Sequence, residues 1–288
     1  MNKNPAILAL SVIFALPALS LTAKEVPMAE PGGNGEIVFG SGEQRASDAH
    51  ILMNRAARDA GLASLQWDGL DTADERDVRT MATELANADI ALSRLTGLPQ
   101  GALGLYGRIH LHLKEPTLGT GVSVSGRAKS NANGTVSIDA QPGSVAHEWM
   151  HALDFLINRS QRQAGSAVAG SWQNAYRTIC EAKEWLGYMS GAAIMASALA
   201  SMTDTDSRKT APGYFDSEQE RMAFAFSHYA LAELGDSSPL LAGRRNGRFA
   251  TPTPLEMNTL IRPAFRNLFR DVSGYAHRET EGKTQAAR

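Results

Sequence analysis

Two histidines four residues apart, with a glutamate directly after the first, constrain this chain more than any other feature. They lie in the run Gly143-Ser144-Val145-Ala146-His147-Glu148-Trp149-Met150-His151-Ala152-Leu153-Asp154. On an α-helix that spacing stacks His147 and His151 on one face, about one turn apart. Both imidazoles then reach a single zinc ion, at roughly 2.0–2.1 Å each. The Glu148 carboxylate follows the first ligand, where it can lie beside a zinc-bound water and take its proton. Five positions thus supply two metal ligands and a general base. A catalytic zinc takes three protein ligands and keeps one position open, so the rest of the fold has to deliver one more.

The neighbouring residues put the motif on a helix. Ser144, after Gly143, is placed to cap its N-terminus, and Ala146, Ala152, Leu153 and Leu156 give it a core-facing side. A strand is predicted over residues 134–139, where Val136 and Ile138 alternate with Thr135 and Ser137. Gln141-Pro142-Gly143 then turns the chain into the helix. Further upstream, residues 46–60 have helical spacing. A second helix is predicted from the capping box Thr72-x-x-Glu75, through the stripe Val78, Met81, Ala82, Leu85, Leu92 and Leu95, to a stop at Gly97. Short strands are predicted over 102–106 with 108–113, and over 120–125. Downstream come a helix near 171–186, a Met- and Ala-rich stretch 188–202 and a polar loop 203–213. Helices over 217–234 and 254–272 follow, the latter opened by Thr253-Pro254-Leu255-Glu256, a capping box with proline at the first helical position. The expected fold is α+β, with a small antiparallel sheet, an active-site helix and a helical C-terminal half.

With 43% hydrophobic and 20% charged residues in 288, the composition is that of a globular protein of one large domain or two small ones. The elements read as one domain over residues 43–273, with a polar, frayed tail over 274–288. A net charge of -2 provides no basic field for nucleic acid. The single cysteine, Cys180, excludes an intramolecular disulfide and a cysteine-based zinc site. At the N-terminus, Lys3 precedes an almost uncharged apolar run over residues 6–21, followed by the small residues Ser20 and Ala23. This reads as a secretory signal peptide over residues 1–23, cleaved after Ala23 or, as second choice, after Ser20; an uncleaved anchor is the alternative. Secretion or periplasmic export without stable membrane insertion is the expectation. Residues 24–42, rich in proline and glycine, read as a linker or irregular segment.

Three acidic residues compete to be the third ligand. Asp154 lies three residues after His151 on nearly the same helix face. Glu218 and Glu220 open a later helix whose Met222, Phe224, Ala225, Phe226 and Tyr229 carry it into the core.

The run GSVAHEWMHALD, preceded by the strand NGTVSID, resembles the zincin-like metallopeptidase domain found in large polyvalent proteins of phages and conjugative elements. The likeness continues in GYFDSEQERMAFAFSHY and in TPTPLEMNTLIRPAFRNLF, and covers roughly residues 105–272. It departs at Phe224 and Ser227, where the family carries arginine and glutamate. The resemblance implies a zincin fold holding Zn2+, with Glu220 as third ligand beside His147 and His151. It leaves Asp154 to accept the free ring N–H of a liganding histidine. Tyr214, six residues before Glu220, and His228, two turns after it, are candidates to stabilise an oxyanion.

The expected activity is zinc-dependent endopeptidase, with a protein or peptide substrate laid along residues 134–139 as an edge strand. Two alternatives keep the metal: a toxin or effector protease with one narrow protein target, and a degenerate zincin acting as a binding module. Glu148 argues against the second, since a structural site has no use for a base there. His110 and His112 alternate on one strand and read as structural or surface histidines rather than a second metal site.

Overall fold

A computed structural model describes residues 42–114, 126–161, 167–180, 217–242 and 253–286. The signal-peptide and linker readings, the strand over 120–125, the stretches 188–202 and 203–213, and Tyr214 lie outside the described residues. Among the described residues no helix is long and apolar enough to cross a membrane. In chain order the elements are α1 (Gly42–Asp59), β1 (Ser64–Trp67), α2 (Glu75–Thr96), β2 (Ile109–Leu113), β3 (Gly126–Ser130), β4 (Val136–Ala140), α3 (Val145–Gln161), α4 (Ala167–Cys180), α5 (Glu218–Leu234), α6 (Pro254–Glu256) and α7 (Arg262–Ala286). A π turn, Met257–Ile261, joins the last two.

Strict alternation builds the sheet. In β2 the side chains of Ile109, Leu111 and Leu113 are buried, and in β4 those of Val136, Ile138 and Ala140, while the residues between them turn to the half-exposed face. The order is β1-β2-β4-β3. The sheet is mixed rather than antiparallel, which corrects the sequence expectation: β1–β2 and β2–β4 are parallel, and only β3–β4 is antiparallel. The connections explain this. Helix α2 carries the chain from the end of β1 back to the start of β2, a crossover that makes the two strands parallel. Among the described residues only the tight connection Asn131–Thr135, with Gly134 at φ 86°, closes a hairpin. Strand β4 is therefore interior, and among the described residues the sheet ends at β3, so the edge expected at residues 134–139 belongs to Gly126–Ser130.

The strand predicted over 102–106 is a set of turns instead. Leu105 and Tyr106 have φ of 44° and 56°, and Gly101 and Gly107 are also left-handed, a combination no strand adopts. This loop presses onto the end of α1, with Gly104 N–H donating to the Ala60 carbonyl at 2.9 Å. A Cβ on Gly104 would sit 1.9 Å from the Gly61 carbonyl oxygen, so the approach is possible only for glycine.

Helix α2 starts at Glu75 with Asp74, not Thr72, as its cap: the Asp74 side chain accepts the Asp77 N–H at 2.8 Å. It stops at Gly97 in the left-handed conformation, as its sequence predicts. The Thr253–Glu256 capping box is present. Helix α7 runs through Gly274 to Ala286, where a frayed tail was expected. Helix α5 buries Met222, Ala223, Phe224, Ala225, Phe226, Tyr229 and Ala230, more than one face. It is the central helix, packed against α3 on one side and reached by Phe265 and Phe269 of α7 at ring distances of 5.3 and 5.5 Å from Phe226. Helix α3 in turn packs on β3 and β4.

Candidate metal centre

Helix α3 presents both motif histidines to α5. Their Nε2 atoms are 3.2 Å apart, and the rings meet edge to face at 4.8 Å. The Glu220 carboxylate straddles them, with Oε2 at 3.2 Å from His147 Nε2 and Oε1 at 3.3 Å from His151 Nε2. The three ligand atoms lie within 4.8 Å of one another, and among the described residues no other group of three metal-binding side chains converges in this way. Ser217 fixes where α5 begins: its side chain accepts the Glu220 N–H, so Glu220 stands in the first turn. Glu220 is 6% exposed, whereas Glu218 points outward.

The electrostatics follow from this packing. Burial pushes the Glu220 carboxyl up, but hydrogen bonds and charge from the two imidazoles outweigh it and hold the group well below the usual carboxylate range. Burial likewise pushes His151 down. The Glu220 hydrogen bond and the negative charges of Glu220, Glu148 and Asp154 more than reverse it, leaving His151 above its ordinary value of 6.5. Asp154, 5% exposed, therefore lies close enough to act on His151 without joining the ligand group. Phe224, one turn after Glu220, packs its ring edge-on to His147 at 4.6 Å; it occupies a position where the resembled family has arginine.

Glu148 is 4% exposed and sits at the junction of α3 with the first residue of β3. Trp149, next to it, reaches the loop before β2 and helix α5 instead. Its indole N–H donates to the Ala102 carbonyl at 3.0 Å, and its ring stacks on Phe226 at 5.4 Å. The Ala102 peptide is itself held, because the buried Asp89 side chain accepts the Gly101 and Leu103 N–H groups at 2.8 and 2.9 Å. Sequence reading missed this support, although a signal was there. Asp89 sits on the Leu85–Leu92 stripe of α2, where a carboxyl group needs buried donors.

His228 is not brought to this group. Eight residues beyond Glu220, or about 12 Å along the helix axis, it lines a separate, mostly apolar cavity of about 380 Å³ with Leu231, Pro254, Met257 and Arg262. On the polar face of the sheet, His110 Nδ1 meets Ser64 Oγ at 2.8 Å. His112 lies between Asp68, at 2.6 Å from Nε2, and Asp139, at 3.2 Å from Nδ1. The two aspartates take opposite ring nitrogens, which makes a cross-strand polar link rather than a metal cradle. Asp139 is the register partner of His112, a relation visible only once β2 and β4 are known to be neighbours. Compared with family models, with curated proteins and with solved structures, the chain matches nothing.

Proposed function

We propose that this chain is a zinc-dependent endopeptidase of zincin type, with His147, His151 and Glu220 as the protein ligands and Glu148 as general base. The observation that carries this reading is the convergence of the two Nε2 atoms, 3.2 Å apart, on one carboxylate, whose Oε2 lies 3.2 Å from His147 and whose Oε1 lies 3.3 Å from His151. Ligand atoms held at roughly 2.0–2.1 Å around a tetrahedral zinc are about 3.3–3.4 Å apart, close to the separation of the two imidazole nitrogens. Two imidazoles and one carboxylate are also a donor set of catalytic zinc, one that leaves a fourth position open. When bound, the ion supplies Lewis acidity, lowering the pKa of water and polarising a carbonyl oxygen.

The chain's own residues handle the protons and the alignment. Glu148 takes the proton of the attacking water and returns it to the leaving amine. Asp154 orients His151 through its charge. A protein or peptide substrate lies extended along β3, the edge strand that packs against α3, with its backbone paired to the strand. The resemblance of GSVAHEWMHALD to zincin-like domains supports the same reading, and the apolar run at the N-terminus supports action outside the cytoplasm.

Metal analysis and activity of variants test it. Glu148→Gln is expected to retain zinc and to lose nearly all peptidase activity, because the base is removed and the ligands remain. His147→Ala or His151→Ala should lose both. Wild-type cleavage rates in Glu148→Gln, measured on a substrate found by N-terminal peptide profiling, would overturn the mechanism.

A further inference from the structure

One glycine at the sheet edge is required for room rather than for backbone freedom. Gly126 opens β3 and pairs with Ala140 in the antiparallel register. Its φ is outside the left-handed region, so an L residue could adopt its backbone. Space is what a side chain would contest. A Cβ built on Gly126 would fall 2.5 Å from both Cγ and Oε1 of Glu148 and 2.7 Å from its Cδ. The atoms met are the end of a flexible side chain, so the part that moves is the carboxylate itself, out of a site where Glu148 is only 4% exposed.

We propose that Gly126 is a positioning residue for Glu148: the volume its missing side chain leaves is the recess that seats the carboxylate beside the His147–His151–Glu220 group. The inference takes Glu148 as the base, as read above. A general base has to lie within roughly 2.6–3.2 Å of the atom whose proton it takes. A side chain at 126 drives the carboxylate out of that position.

The test uses the full chain in two independent ways. In a strand with open space, Gly→Ala raises stability by restricting the unfolded chain. Here Gly126→Ala is expected to lower the urea midpoint of the metal-free protein. In a Glu148→Ala background, where the obstructing atoms are gone, the same substitution should leave the midpoint unchanged or raise it. Equal losses in both backgrounds would overturn the inference whatever the protein's activity. The second readout is turnover of fluorescent casein. Gly126→Ala should keep zinc affinity and KM within about threefold while kcat falls at least tenfold, as for a misplaced base. Full kcat in Gly126→Ala would also overturn it. Casein turnover that survives Glu148→Gln would instead sink the peptidase mechanism, and the stability cycle would still decide the steric claim.

Discussion

At the scale of single residues, the division of labour between Glu220 and Asp154 is the sharpest point. Both are buried and both act on His151, but only Glu220 places its oxygens within 3.2–3.3 Å of the two Nε2 atoms. Glu220→Ala leaves two imidazoles, and zinc affinity is expected to fall by several orders of magnitude. Asp154→Asn keeps the ligands and should cost about 10–100-fold in affinity or activity. Zinc titration against a competing chelator measures the order, and the reverse order would exchange the two roles. His147, Glu148 and His151 were legible from spacing alone, because a helix converts a four-residue step into one face. Spacing leaves Glu220 as one of three candidates that only the zincin-like resemblance separates, since nothing local distinguishes it from Glu218. The difference between them is burial, and burial is set by which turn of α5 meets α3.

Among the elements, helices were easier to read than strands. The stripes of α2 and α5 and the caps at Gly97, Ser217 and Thr253 are local signals. β1 is four residues long with a weak pattern, and parallel pairing depends on a crossover that no local run encodes. The glycine-rich stretch before β2 imitates a strand in composition, yet its left-handed residues make it a bracket for α3. That bracket is stable only while Asp89 satisfies its amides. Asp89→Ala strands the buried Gly101 and Leu103 N–H groups, each at about 1–3 kcal/mol. A total loss of about 2–6 kcal/mol in urea unfolding is expected, with looser seating of Trp149. A loss below about 0.5 kcal/mol would show that the loop holds α3 without Asp89.

For the whole molecule, the proposed ion links α3 to α5, two elements far apart in sequence. Zinc at 100 times its Kd should add about 2.7 kcal/mol, or roughly 5–10 °C in Tm for a domain of this size. That gain should shrink as pH falls through the raised His151 value, because the ligand imidazole must be neutral to bind metal. In the metal-free protein the His151 contribution is full below its unfolded value near 6.5 and is lost as pH rises through the higher folded value. The Glu220 contribution is present above its unfolded value near 4.5 and is lost as pH falls through the depressed folded one. Thermal scans with zinc and with chelator between pH 6 and 8 read the difference, and an equal zinc effect at both ends would contradict His151 as a ligand.

A sheet that ends in an open strand is a template for copies of itself. β3 is five residues long and carries two exposed cations, Arg127 and Lys129, at alternate positions. Two molecules meeting edge to edge would bring these like charges together, and the short strand would return few hydrogen bonds for the repulsion. An extended chain with neutral or acidic side chains meets no such barrier. Among the described residues the edge is thus charged against pairing with its own copy, a device that blunts edge-to-edge growth.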